Sequence, residues 1–195
     1  MADRPTLVIV TGAPCTGKTT LARRLATAFR LPLIEKDGVK ETLFDTLGVR
    51  DRAWSRELGR ATLALLFYFV ETQVAAGQSL IVESNFYVEP ATAQFRAIRA
   101  RHDFASTQIL LQCEPHVLAE RFRQRWATGN RHPGHVDDQA SAADLAALFA
   151  RNAGALALDD PVIQLDTTDF ARVDYAALDV QIATATGLRR YQNLA

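Results

Sequence analysis

The chain has 195 residues, 48% hydrophobic and 23% charged, which suits a soluble globular protein with a sizeable core in one domain across 1–195. Twenty-two basic residues balance twenty-two acidic ones, so no net field draws the chain to nucleic acid or a membrane surface. Two cysteines, Cys15 and Cys113, suggest no disulfide framework and fit a reducing, cytoplasmic setting, and no signal peptide is visible at the N-terminus.

The first predicted strand, about residues 6–11, is the apolar run Leu7-Val8-Ile9-Val10. It leads into Gly12-Ala13-Pro14-Cys15-Thr16-Gly17-Lys18-Thr19, and Leu21, Leu25 and Phe29 then recur at helical spacing to about Arg30. This is G-x-x-x-x-G-K-[ST] between strand and helix, the context in which the pattern carries a mechanism. Glycines let successive N–H groups point into one concavity, and the helix N-terminus adds about half a positive charge. Lys18 would reach β- and γ-phosphates and the Thr19 hydroxyl would bind Mg²⁺. The expected ligand is a nucleoside triphosphate.

Leu31-Pro32-Leu33-Ile34 reads as a second strand ending at Glu35-Lys36-Asp37, followed by a helix marked by Val39, Leu43 and Leu47. Trp54, Leu58, Leu65 and Phe69 mark a long helix between Asp51 and Ala76, whose apolar stretch Ala61–Val70 is too short to span a bilayer. Ser79–Val82 is strand three, ending at Glu83-Ser84-Asn85. Pro90 can open a helix with Phe95 and Ile98 inward. Gln108–Cys113 is strand four, and Pro115 opens a helix to about Trp126. Thr128–Ala140, rich in Gly, Pro, His and Asp, reads as a mobile connection. Ser141-Ala142-Ala143-Asp144 resembles a capping box ahead of a helix to about Asn152. Val162–Leu165 is strand five, and a last helix from about Val173 to Gly187 buries Leu178 and Ile182. Short apolar strands alternating with helices predict an α/β fold, a parallel sheet covered on both faces with ligands at the strands' carboxyl ends. Every candidate site residue falls at such an end or in the Thr128–Ala140 loop.

Asp37 could accept a proton from an acceptor hydroxyl attacking the γ-phosphate, or simply cap the following helix. Lys40, one turn on, could hold an anionic group of the acceptor or stay solvated. Glu83 could touch Mg²⁺ through water, bind the acceptor or cap a helix, and Asn85 belongs to the same patch. Arg121 and Arg125 lie beside Leu118 and Phe122 on one helical face while Arg123 points away; the first two could swing over phosphates and neutralise transition-state charge. Arg131, His132 and His135 form a loop tip that could meet phosphates or acceptor; Pro and Gly between the histidines disfavour zinc. Arg52, Arg56 and Arg60 read as a solvated stripe.

On these residues the chain resembles the small P-loop kinases. Within them it is most similar to the AAA_33-type family that includes polynucleotide 5′-kinase domains, with zeta-toxin and chloramphenicol phosphotransferase relatives. The resemblance covers nearly the whole chain and rests on Gly12–Thr20, Lys36-Asp37 with Lys40, Ile81–Asn85, Leu111–Pro115 and Arg121-x-x-x-Arg125. It implies a three-layer α/β/α sheet of five strands in order 2-3-1-4-5 and a lid over about residues 121–140. It implies ATP with Mg²⁺ and phosphoryl transfer to a hydroxyl, Asp37 as base, and Arg121 and Arg125 as nucleotide and phosphate contacts. The loop Asp166-Thr167-Thr168 would lie near the adenine. Strand three ends in Glu-Ser-Asn where many relatives have Asp-(Ala/Ser/Thr)-Asn, and Cys15 and Thr16 stand where Gly and Ser are frequent. The His-Pro-Gly-His tip points to a separate subgroup. A kinase with a small hydroxyl acceptor is the leading reading. Polynucleotide or nucleoside phosphorylation is a rival, weakened by the absence of a basic–aromatic stripe. A regulatory ATPase without acceptor is another, and an Asn-Lys-x-Asp guanine signature is missing.

Overall fold

The computed structural model describes residues 4–128, 131–135, 142–151 and 154–191, with residues 142–145 described in backbone only. Ser141, the side chain of Asp144 and Asn152 of the expected capping box and helix end therefore lie outside what is described, as does part of the expected lid. Five strands form one parallel sheet in the order β2-β3-β1-β4-β5: β1 Thr6–Gly12, β2 Leu33–Glu35, β3 Leu80–Glu83, β4 Ala105–Gln112 and β5 Val162–Asp166. The helices are α1 Lys18–Phe29, α2 Lys36–Leu47, α3 Arg52–Ala75, α4 Val88–Arg99, α5 Pro115–Ala127, α6 Ala142–Arg151 and α7 Tyr175–Thr186. Among the described residues, the 3₁₀ turns Pro133–His135 and Phe170–Arg172 were not anticipated from the sequence.

Alternation along β1 divides the interior in two. Leu7 and Ile9 face one side, where α3 and α4 bury Leu66, Val70, Phe95 and Ile98. Val8 and Val10 face the other, where α1 and α7 supply Leu21, Leu25, Leu178 and Ile182. Central β1 and β3 are buried along their whole length, whereas edge strand β5 alternates between exposed and half-buried. With both faces covered, β1 carries no polar alternation, which is why it reads as a continuous apolar run. Among the described residues no helix is long and apolar enough to cross a membrane.

Two helix faces differ from the sequence reading. In α2 the buried positions are Lys40 and Phe44, one residue on from Leu43 of the expected stripe, and Leu47 is exposed. In α3 the inward stripe is Ser55, Leu58, Thr62, Leu66, Val70 and Val74, so Phe69 of the expected stripe faces out. α3 carries apolar residues nearly all round, and in α2 Leu43 and Phe44 are adjacent, so spacing alone did not choose the face. The partner surface did. Arg52, Arg56 and Arg60 are exposed, as a solvated stripe requires.

Candidate active site

All five strand tips point to the same side of the sheet, and there the chain encloses a cavity of about 480 Å³. The loop after β1 forms its floor. At Gly12 φ is +139°, and a Cβ there would lie 2.3 Å from the Leu111 carbonyl oxygen, so only glycine fits so close to β4. Gly17, the residue before α1, has φ +89°, and a Cβ there would meet the Phe170 ring at 2.8 Å. Thr16 Oγ1 donates to the Ala13 carbonyl at 2.8 Å and Lys18 Nζ to the same oxygen at 2.7 Å. Gly12, Ala13 and Thr16 thereby sit behind the wall, while Pro14, Cys15, Gly17, Lys18, Thr19 and Thr20 line it.

Glu83, at the tip of β3, is 4% exposed and accepts from Thr19 Oγ1 at 3.2 Å. Burial, opposed chiefly by Lys18, pushes the Glu83 carboxyl above its ordinary range. Burial likewise pulls the Lys18 ammonium down, with Glu83 and Asp37 opposing. Two hard oxygen donors side by side, a hydroxyl and a carboxylate, are the donor chemistry that Mg²⁺ takes, with water completing its shell. The adjacent Ser84 lines the cavity, and its buried hydroxyl has no hydrogen-bond partner among the described residues.

The far wall comes from the start of α2. Lys36 Nζ donates to Asp37 Oδ1 at 3.3 Å and to Asn85 Oδ1 at 3.0 Å. Arg131 Nη1 donates to Asp37 Oδ2 at 2.9 Å. Burial alone would raise the Asp37 carboxyl, but Lys36 and Arg131 outweigh it and hold the group well below the usual carboxylate range. Lys40 is buried, with its ammonium 3.0 Å from Ser55 Oγ and 5.3 Å from the centre of the Phe44 ring. His135 also lines the cavity and donates from Nε2 to Glu41 at 2.9 Å.

The roof is α5. Arg121, Phe122 and Arg125 line the cavity, while Arg123 turns out to pair with Glu120, the division expected from helical spacing. Arg121 donates to Thr168 O at 3.0 Å and to Cys113 Sγ at 3.4 Å, and its guanidinium carbon lies 4.0 Å from the centre of the Phe170 ring. Thus Asp37, Lys40, Glu83, Asn85, Arg121, Arg125, Arg131 and His135, assigned from sequence, share one cavity with the phosphate-type loop.

Besides Gly12, Ala13 and Thr16 behind the wall, two assigned residues do not line the cavity. Thr167 spends both its N–H and its hydroxyl on the Gln112 carbonyl, at 2.8 and 2.9 Å, pinning β5 to β4. His132 turns to the outer side of α2, bonding Asp45 at 3.1 Å and stacking on Phe44. Lining residues Lys36, Ser84, Phe122, Leu148 and Phe170 had no site role assigned from the sequence. Lys36 was legible as the neighbour of Asp37. Phe170 was not, because nothing in its local pattern points back to Gly17.

Comparison with known proteins agrees with this geometry. The AAA_33 family model, described as an AAA domain, matches residues 7–151. A "putative kinase" from Chloroflexus aurantiacus is 42% identical with a TM-score of 0.87, covering 94% of this chain and 99% of that one. A "Putative adenylate kinase" from Halobacterium salinarum is 29% identical over 162 residues, covering 83% of this chain and 80% of that protein. Kti12 from Chaetomium thermophilum, solved in complex with ADP-AlF3, shares the fold at 21% identity and a TM-score of 0.62, covering 92% and 98% of the two chains. The chain belongs to the AAA_33 family and is a P-loop protein of the kinase type.

Proposed function

We propose that this chain is one kinase domain that transfers the γ-phosphoryl group of ATP to a hydroxyl of a small-molecule acceptor. The supporting observation is that Lys18 and Thr19 line one cavity together with Asp37 and two α5 arginines, Arg121 and Arg125. Backbone N–H groups of the Gly12–Thr19 loop and the Lys18 ammonium receive the β- and γ-phosphates, the phosphate oxygens replacing the Lys18 bond to Ala13. Thr19, and Glu83 through water, are the residues to hold Mg²⁺, whose charge would offset that building between β- and γ-phosphates. The acceptor oxygen bonds to the γ-phosphorus as the bond to the β–γ bridging oxygen breaks, and the acceptor's proton passes to Asp37. A carboxylate kept ionised and weakly basic suits a loose transition state in which the nucleophile loses its proton late. Arg121 and Arg125 counter charge on the moving phosphoryl group. Lys40, Asn85, Arg131 and His135 hold the acceptor, the cations favouring one with an anionic group.

A second reading has a phosphate as acceptor, favoured by the Halobacterium relative's name together with Lys36, Lys40 and Arg131 on the acceptor wall. MgATP consumption measured alone and with AMP, sugars, nucleosides, antibiotics and 5′-hydroxyl oligonucleotides decides among these. Stimulation by a hydroxyl compound supports the first reading, and ADP formed only with AMP supports the second. If no acceptor stimulates turnover, a regulatory ATPase replaces both.

A further inference from the structure

Arg131–His135 meets α2 along three rungs. Arg131 Nη1 donates to Asp37 at 2.9 Å, His135 Nε2 to Glu41 at 2.9 Å and His132 Nε2 to Asp45 at 3.1 Å. The acceptors recur every four residues, which places them along one face of the helix. His132 Nδ1 accepts from the Gly134 N–H at 3.1 Å, so the ring proton sits on Nε2, toward Asp45. Between the rungs stands Phe44, 1% exposed although it belongs to neither core cluster. The segment itself helps to cover it. The His132 ring lies parallel to it at 5.4 Å and the His135 ring edge-on at 6.0 Å. Gly134 comes so close that a Cβ would lie 2.5 Å from the Phe44 ring. Gly134 is not among the positive-φ residues, so glycine serves this approach rather than a turn.

Neither residue of the outermost rung, His132 and Asp45, lines the cavity, so that rung acts through the inner two. We propose that His132 and Gly134 are positioning residues, seating Arg131 and His135 against α2 by way of Phe44 and so holding Arg131 on Asp37. The seated guanidinium withholds the carboxylate from water until an acceptor displaces it. This rests on the reading of Asp37 as the group that takes the acceptor's proton. Without such restraint, Asp37 would orient a water whose oxygen bonds to the γ-phosphorus as ADP leaves and whose proton goes to the carboxylate, spending ATP with no product.

Gly134→Ala adds one methyl against Phe44 and alters no charge; His132→Ala, farther out, removes the stacked ring and the outer rung. In the full chain we expect backbone hydrogen exchange at residues 131–135 to run roughly tenfold faster or more in Gly134→Ala, because buried aromatic contact is lost. MgATP hydrolysis without acceptor should rise severalfold in both variants, with MgADP affinity unchanged. Adding Asp37→Asn to Gly134→Ala should erase that rise. Unchanged exchange in both variants, loosening without faster hydrolysis, or a rise that survives Asp37→Asn would each overturn the proposal. Failure of the kinase reading shows separately, as MgADP binding that does not depend on Lys18.

Discussion

The two ends of the cavity are held by different means. At the phosphate end the chain is fixed by backbone: β1 is buried on both faces, Gly12 presses on Leu111, and the Thr16 and Lys18 side chains close on one carbonyl. At the acceptor end nearly every constraint is a bond between side chains, from Lys36 to Asn85, from Arg131 to Asp37 and from two histidines to α2. Main-chain geometry resists substitution and keeps one shape for a ligand that never changes. Side-chain pairs can exchange partners, which is what an end that must admit and release an acceptor needs. The phosphate end is therefore the rigid one and the acceptor end the adaptable one.

The sharpest break should come at the rigid end. Lys18→Ala removes the loop's only side-chain cation, and we expect turnover to fall to background with triphosphate affinity lost, read by nucleotide titration and ATP consumption. Normal turnover in that variant would remove the basis of the site. At the adaptable end, Asp37→Asn should leave ATP affinity intact and cut transfer by about 10²–10⁴-fold, the usual contribution of a general base. Equal activity would reduce Asp37 to a first-turn carboxylate favoured by the helix dipole; it is not the helix cap, because α2 starts at Lys36 and Glu35 holds the cap position.

The same contrast explains what could be read from sequence. The phosphate end was legible because its parts are contiguous and each follows from local chemistry: apolar strand, glycines where φ is positive, lysine at the helix start. Arg121 and Arg125 were legible from helical spacing, since α5 packs by one face and Leu118 marks that face. What could not be read depends on partners distant in the chain. Phe44 is buried by residues some 90 positions later, so the α2 face was assigned to Leu43. Phe170 meets Gly17 across about 150 residues of chain. His132 and His135 look alike in sequence, yet one reaches the cavity and the other does not, because a single 3₁₀ turn separates their directions.

Acid should loosen the adaptable end. Burial, the largest influence, holds the His135 ring to about 3 rather than 6.5, with Arg131, Lys40 and Lys36 adding and Asp37 opposing. Glu41 accepts a hydrogen bond from the ring's Nε2–H. The undocked ring keeps its ordinary affinity for protons, so below pH 6.5 it carries a proton that the docked ring lacks. Docking is thus at full strength above that value and weakens as pH falls, by roughly tenfold per unit. Asp37 is also held below its ordinary 3.8, so its contribution is lost only in stronger acid, outside this window. Hydrogen exchange at residues 131–135, corrected for intrinsic rates, should accelerate from pH 7 to pH 5. His135→Asn should flatten the dependence. A flat wild-type profile would mean that His135 stays docked when charged.

The smallest expected effect lies where rigid and adaptable parts meet. Phe170 rests on Gly17 and carries the Arg121 guanidinium on its other contact, while Arg121 also holds Thr168 O. Losing the ring removes one of three restraints on Arg121, and a half-exposed cation–π contact is worth about 0.5–1 kcal/mol. Phe170→Ala should therefore raise the nucleotide dissociation constant about threefold and leave the acceptor KM unchanged. If the acceptor KM moves instead, α5 follows the acceptor end, and the line between the rigid and adaptable halves runs between Gly17 and Phe170 rather than through the middle of the cavity.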